Sequence, residues 1–272
     1  MFGNELLEAV ANLKFENRNK TCAQELKVGV DLGTSSIVLV VLNERNEPLV
    51  CLSEEAEAVK DGVVVNFFEA SKIVKRLKEQ AEAFLGCPLV QAAGAIPPQV
   101  GEKNTSAVAH VIEAAGLETG VIVDEPCAAA EVLKIKHGAV IDIGGGTTGI
   151  SIFEDGKAVY SADEATGGYH MALVLAGHYQ ISLSAAEIRK RDQHKYEEHF
   201  QILKPVIEKM AHLSKQFIAD YGNPVSEVYL VGGASMFPQF TEVFESTLAI
   251  PVKQPVHPRL VTPVGIAMLG RL

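Results

Sequence analysis

The chain has 272 residues, 47% of them hydrophobic and 21% charged, with a formal net charge of −10, which gives room for one large or two modest domains with buried cores. An acidic balance excludes a general nucleic-acid surface, which is built from Lys and Arg clusters, yet leaves room for a nucleotide held by backbone amides and a metal. Cys22, Cys51, Cys87 and Cys127 lie far apart with no Cys-x-x-Cys pair, so neither a zinc knuckle nor a disulfide framework is expected, and a reducing cytoplasm is the expected home.

Leu6, Val10 and Leu13 fall at helical spacing before a polar stretch from Glu16 to Gln24, so residues 1 to 25 form an appendage. It is a capping helix packed on the domain or, alternatively, a docking helix for a partner. Glu5 and Glu8 interrupt its apolar residues, so an ordinary signal peptide is not expected. The longest aliphatic run, Ile37 to Leu42, is far below the ~20 residues of a membrane helix.

Leu26 to Leu42 reads strand, bend, strand, with Asp31-Leu32-Gly33-Thr34-Ser35 at the bend. Asn43 to Pro48 is a turn, Leu49 to Leu52 a third strand, and Lys60-Asp61-Gly62 a further turn into Val63-Val64-Val65. Ser71 is expected to cap a helix through Leu85, with Ile73, Val74, Leu77 and Ala81 on its buried face. Leu89 to Ile96 is a buried strand, Asn104 caps a helix to Ala115, and Val121-Ile122-Val123 is a strand closed by Asp124-Glu125-Pro126, with a helix from Cys127.

A second strand, bend and strand runs from His137 to Phe153, with Asp142-Ile143-Gly144-Gly145-Gly146-Thr147-Thr148 at its bend. Ala158 to Ala162 is a strand, Thr166-Gly167-Gly168 leads into a helix carrying Met171, Leu175 and Tyr179, and Ser184 caps a short helix through Arg191. A longer helix reaches Tyr221, with Pro205 acceptable only near its first turn. Val228 to Val231 is the last clear strand, joined by Gly232-Gly233-Ala234-Ser235 to a helix near Pro238, and Pro263 to Gly270 forms a small-residue helix. Alternating strands and helices after an antiparallel meander predict α/β architecture with largely parallel sheets.

Glycines at a bend let backbone N–H groups approach an oxyanion, and three in succession make an anion-cradling concavity. A neighbouring aspartate cannot face phosphate unless a cation lies between, which points to Mg²⁺. One Asp-x-Gly-Thr bend is an ordinary turn; two in one chain are not. Gly144-x-Gly146-x-x-Gly149 fits the dinucleotide fingerprint only in letters, because Ile150-Ser151-Ile152-Phe153 continues as a strand where that motif opens a helix. No P-loop string is present. His170, His178, His194 and His199 are expected to be solvated or core residues.

In this order the segments resemble the actin-like ATPases, the superfamily of actin, the DnaK-type heat-shock ATPases, MreB, FtsA and the sugar kinases. The first phosphate bend is at Asp31 to Ser35, a first connecting segment at Asp124 to Ala130, and the second phosphate bend at Asp142 to Thr148. The adenosine segment is at Val231 to Ser235 and a second connecting helix at Pro263 to Ala267. The resemblance implies a two-lobed, ribonuclease H-like fold, each lobe a mixed five-stranded sheet flanked by helices. Lobe I would span residues 26–138 plus 262–272 and lobe II 139–261, with ATP or ADP and Mg²⁺ in the cleft. It implies that Asp31 and Asp142 hold the metal through waters. Gly33, Thr34, Ser35, Gly144, Gly145, Gly146 and Thr147 would wrap the phosphates, and Gly232, Gly233 and Ala234 would pass the nucleoside. Glu125 would position and polarise the attacking water.

The heat-shock ATPases carry a second acid where this chain has Gly149, and a phosphate-contacting lysine that has no counterpart here beyond the nearby Lys60, so efficient hydrolysis is not implied. No peptide-binding domain is expected after the last helix. Within the superfamily, the compact length and the wording of residues 60–65 and 142–149 are most similar to the EutJ family of ethanolamine utilisation, regarded as chaperone-like and encoded with bacterial microcompartment enzymes. That resemblance implies a cytoplasmic, ATP-operated chaperone or reactivating factor with a protein client. An MreB- or FtsA-like filament or scaffold is the alternative, and a small-molecule kinase a more distant one.

Overall fold

A strand, a glycine bend and an antiparallel return strand begin each of two sheets, and each sheet then adds parallel strands on the far side of its first strand. The computed structural model describes residues 2–13, 25–99 and 101–270. In the first sheet β1 (Leu26–Leu32), β2 (Ser36–Asn43) and β3 (Pro48–Glu55) form the meander, and the order is β3-β2-β1-β6-β7. β4 (Val59–Lys60) and β5 (Val63–Val64) make a separate small hairpin, while β6 (Gln91–Ile96) and β7 (Glu118–Asp124) run parallel to β1. The second sheet repeats the plan with β8 (Gly138–Ile143), β9 (Thr148–Glu154), β10 (Lys157–Glu164), β11 (Val228–Val231) and β12 (Val252–Lys253), in the order β10-β9-β8-β11-β12. The repeat visible in the sequence is therefore a repeat of sheet topology.

Nine helices are described among these residues: α1 (Phe2–Ala11), α2 (Phe67–Leu85), α3 (Glu102–Ala114), α4 (Glu125–Leu133), α5 (Gly168–Tyr179), α6 (Leu183–Lys190), α7 (Tyr196–Tyr221), α8 (Phe240–Leu248) and α9 (Pro258–Leu269). None is long and apolar enough to cross a membrane. The first sheet packs Val28 and Val30 against Ile73, Val74 and Leu77 of α2 and Val111 and Ile112 of α3. The second packs Ile141 and Ile150 against Met171, Leu203, Met210 and Phe240. A third cluster joins the two, because Val40 of β2 and Val140 of β8 both meet a layer formed by Val132 of α4, Val261 and Val264 of α9, and Leu7 and Val10 of α1. Each such side chain removed from water contributes about 1.5–3 kcal/mol, so α1 is a packed cap on this layer rather than a free arm. Residues 14 to 24, with the expected polar stretch and Cys22, lie outside the described residues.

Several expected boundaries shift. α2 is capped by Asn66, whose side chain accepts from Glu69 N, and Ser71 sits buried inside the helix with its hydroxyl donating to Phe67 O at 2.8 Å. α3 starts after Gly101 rather than at Asn104, and α6 is capped by Ser182 rather than Ser184. Pro205 lies well inside α7, not in its first turn, and α8 begins at Phe240 after a short 3₁₀ turn over Ala234–Met236. At α2, α3 and α6 a polar residue inside the helix was read as its cap, whereas the helix begins earlier. Cys51 and Cys127 are free.

Candidate functional site

The two bends meet. The first, Gly33 to Ser35, joins β1 to β2, and the second, Gly144 to Thr147, joins β8 to β9 and is closed by Gly144 N donating to Thr147 O at 3.0 Å. A Cβ added at Gly145 would stand 2.6 Å from Ser35 Oγ, and one at Gly146 would stand 2.7 Å from Thr34 Oγ1 and 2.9 Å from Asp61 N. Thr34 and Ser35 of one bend therefore lie directly against the glycines of the other, with the β4–β5 turn completing the contact. Gly144 has room for a side chain, its added Cβ meeting only Thr147 O at 3.7 Å, so its glycine is not dictated by crowding. Behind the second bend, Gly168 N and Tyr169 N at the start of α5 donate to Gly144 O and Gly145 O at 2.9 and 2.7 Å. The first free amides of that helix thus brace the bend.

Asp31 and Asp142 stand at matching places, one residue before the end of β1 and of β8. Both are held above the usual carboxylate range. Asp31 is pushed up to about 7, first by burial and then by the Asp142 charge. Asp142 rises to about 6 by burial, held back by the hydroxyl of Thr262 on α9, which donates to its Oδ2 at 2.5 Å. Glu125 is raised well above the usual carboxylate range by burial, then by Asp142, Asp31, Asp163 and Asp124 in turn. It is not on a strand end as the sequence suggested; it is the first residue of α4, after Asp124, so the helix aims it between the sheets.

The adenosine segment follows β11. Gly232 has φ +89°, and an added Cβ would stand 2.3 Å from Asp142 Oδ1 and 2.4 Å from Ile143 O, so only glycine lets this turn close over the second bend. Gly233 faces open space apart from Arg259 Cβ at 3.8 Å, and Ala234 opens the 3₁₀ turn beside Gly168. The two bends, the acids Asp31, Asp142 and Glu125, and the turn after β11 therefore gather in one region.

The sequence reading missed three contributors. Asp163 on β10 is raised to about 7, chiefly by burial, with Thr147 hydrogen-bonded to it and Asp142 nearby. Thr262 went unnoticed because a lone threonine in an apolar helix carries no signal. Lys190 donates to Gly168 O at 2.8 Å and pairs with Glu187, whose other oxygen meets Arg191. The Glu187-x-x-Lys190 spacing, an i,i+3 pair on one helix, was the available signal.

These donors fit a hydrated divalent cation. Asp142, which is buried, and Asp31, Glu125 and Asp163, which are half-buried, share one space, and crowding like charges away from water is unfavourable until a counter-ion enters. No three acids, histidines or cysteines among the described residues are arranged to ligate a metal directly. Among the described residues, few exposed ties cross the bends. Arg191 Nη1 pairs with Glu55 at 2.8 Å, Gln99 Nε2 donates to Ser161 O at 2.5 Å, and Lys60 lies 6.0 Å from the ring centre of Tyr169. Exposed pairs of this kind are worth about 0–1 kcal/mol, so parting the bends costs little at the rim.

The acid cluster predicts an unusual pH profile. A group whose folded pKa lies above its unfolded value stabilises the fold fully below the unfolded pKa and loses that contribution as pH rises through the folded one. For Asp31 and Asp163, about 7 when folded, the contribution is lost between pH of about 4 and 7. Metal-free Asp31→Asn protein should therefore gain on wild type in melting temperature as pH rises from 5 to 8. An unchanged gap between them across that range would show that Asp31 is not buried among acids.

The model of the family described as type IV pilus assembly protein PilM matches residues 102–257. The ethanolamine utilization protein EutJ of Escherichia coli strain K12 is 41% identical over 247 residues, covering 90% of this chain and 86% of that protein, and its Salmonella typhimurium counterpart is 40% identical over the same shares. The crystal structure of EutJ from Carboxydothermus hydrogenoformans superposes with a TM-score of 0.89 at 45% identity, covering 98% of both chains. At the level of fold alone, a PilM–PilN type IV pilus biogenesis complex matches with TM-score 0.73 at 15% identity, over 92% of this chain and 99% of that one. MreB 5 of Spiroplasma citri bound to AMPPNP matches with TM-score 0.69 at 17% identity, over 90% and 95%. Two linked sheets of the same topology, the facing glycine bends and this degree of identity lead to one conclusion: the chain belongs to the EutJ family of ethanolamine-utilisation proteins, on the actin-like ATPase fold and within the reach of the PilM family model.

Proposed function

We propose that this EutJ-family chain is a nucleotide-operated, chaperone-like protein of ethanolamine utilisation, binding ATP or ADP with Mg²⁺ between its two bends and changing the surface it offers a client when it opens and closes. The observation that carries this is the joining of glycine bends to a cluster of carboxylates raised by burial and by one another. The bound nucleotide of the MreB that shares the fold and the protein partner of the PilM that shares it are in keeping with it.

In this reading the segments 26–138 and 262–272 move as one lobe against 139–261, with α4 and α9 between them. Asp31 and Asp142 would hold the cation. The amides of Gly33, Thr34, Ser35, Gly144, Gly145, Gly146 and Thr147 take the phosphates once the bends part, and Gly232, Gly233 and Ala234 lie along the nucleoside. Mg²⁺, when bound, neutralises phosphate charge. Glu125, held at the start of α4, accepts a proton from the attacking water, and its ionisation becomes favourable only when positive charge enters the cluster. Lobe closure then alters the client-facing surface. The client is an enzyme of the same pathway, met in the cytoplasm beside the microcompartment.

Calorimetric titration with AMP-PNP and with ADP, each with and without Mg²⁺, tests the reading. Binding strengthened by Mg²⁺ and a raised melting temperature are expected. The absence of both heat and thermal shift at millimolar nucleotide would end it.

A further inference from the structure

Gly149 stands between two acids. It is the register partner of Asp142 on one side, across β8 and β9, and of Asp163 on the other, across β9 and β10. Residues directly opposite in antiparallel strands present their side chains to the same face, so Asp142 and Asp163 rise from one face of the second sheet with only a glycine between. At about 4.8 Å per strand their backbones are about 10 Å apart, and the Pro98 ring packs over the glycine between them. A Cβ built on Gly149 would stand 3.3 Å from Asp163 Oδ1 and 3.1 Å from Pro98 Cδ. The Asp163 carboxyl therefore leans into the space that a side chain at 149 would enter.

That carboxyl is fixed and incomplete. Thr147, the last residue of the second bend, hydrogen-bonds to it, while Oδ1 is closed off from solvent and has no hydrogen-bond partner among the described residues. The groups facing it are Asp142, Glu125, Glu164 and Asp61, all acidic. A buried acceptor with no donor is a costly arrangement, and a carboxylate oxygen can accept from a metal-bound water.

We propose that Asp163 is a third carboxylate of the cation site, accepting from waters on a divalent cation held at Asp31 and Asp142, and that residue 149 is glycine so that Asp163 can reach it across the strand. This rests on the nucleotide reading above. Asp163 is a positioning residue, acting on the cation's water shell.

The test is the Mg²⁺ concentration for half-maximal AMP-PNP binding to the full chain, measured calorimetrically, together with AMP-PNP affinity in the absence of metal. Asp163→Asn should raise that Mg²⁺ concentration about tenfold or more, the range for loss of a partner around a metal's ligands, and leave metal-free affinity unchanged. Moving the acid to the neighbouring strand in the double variant Gly149→Asp/Asp163→Gly should restore most of the Mg²⁺ dependence. A purely structural Asp163 would lower the melting temperature and leave the Mg²⁺ dependence where it was, which overturns the proposal. Should Asp163→Asn fail to fold, the relocated acid decides alone, and its failure to restore wild-type dependence also overturns it. Wild-type protein that binds no AMP-PNP sinks the nucleotide reading itself; wild-type binding with an indifferent Asp163→Asn sinks only the role given to Asp163.

Discussion

Glu125→Gln should cut steady-state phosphate release by about 10²-fold or more, the usual contribution of a positioned base, while AMP-PNP binding stays within a few-fold of wild type. The substitution keeps the shape of the side chain and removes only its ability to take a proton. Its second consequence runs the other way. Burial and the charges of Asp142, Asp31, Asp163 and Asp124 hold Glu125 well above the usual carboxylate range, so at pH 8 its ionised form is disfavoured in the metal-free fold and the neutral amide removes that penalty. The variant should melt at a higher temperature than wild type at pH 8 and lose that advantage near pH 4. Slower release with raised stability marks a group placed for chemistry at the expense of the fold. Unchanged release would show that the residue does not act on water, and a lower melting temperature at pH 8 would show that it is not a buried acid among acids.

Much of this arrangement was legible in the sequence because it is written in local units. Each Asp-x-Gly bend occupies a few consecutive residues, and its repetition at Asp31 and Asp142 announced the repeat of sheet topology. The last strand was harder, since Val252–Lys253 is a pair of residues parallel to β11 and has no period of its own to display. Asp163 and Thr262 stayed hidden for a different reason: they reach Asp142 only through strand register and helix packing, and nothing beside them in the chain is unusual. The helix starts at Asn66 and Ser182 were misplaced because several capping residues compete in each stretch and the choice falls to the core. Glu125 was identified by its motif, but its position as the first residue of α4 followed from the structure.

Gly265→Ala should be among the most damaging single methyl groups that can be added to this chain. The added Cβ would stand 1.9 Å from Ala128 O and 2.4 Å from its carbonyl carbon, backbone atoms of α4 that no rotamer change can move. Alanine favours a helix over glycine by about 1 kcal/mol, yet relieving the overlap means pushing α4 and α9 apart, and overpacking of a closed core costs about 1–3 kcal/mol and sometimes more. The same crossing is tight elsewhere, since a Cβ at Gly29 of β1 would stand 2.4 Å from Ala267 N, so α9 has no free side toward which to retreat. A loss of about 3 kcal/mol is expected, which at this length lowers the melting temperature by roughly 6–12 °C. Gly177→Ala is the matched control: it is also helical, on α5, with nothing within 4 Å of its added Cβ, and there the helical preference should act alone and raise stability slightly. The damage at 265 should also reach the site, because α4 begins at Glu125 and α9 carries Thr262, the hydroxyl on Asp142. Weakened Mg²⁺-dependent AMP-PNP binding in Gly265→Ala well below its melting temperature would show that the helix crossing sets the spacing of the acids. Intact binding with lowered stability would confine the crossing to the fold.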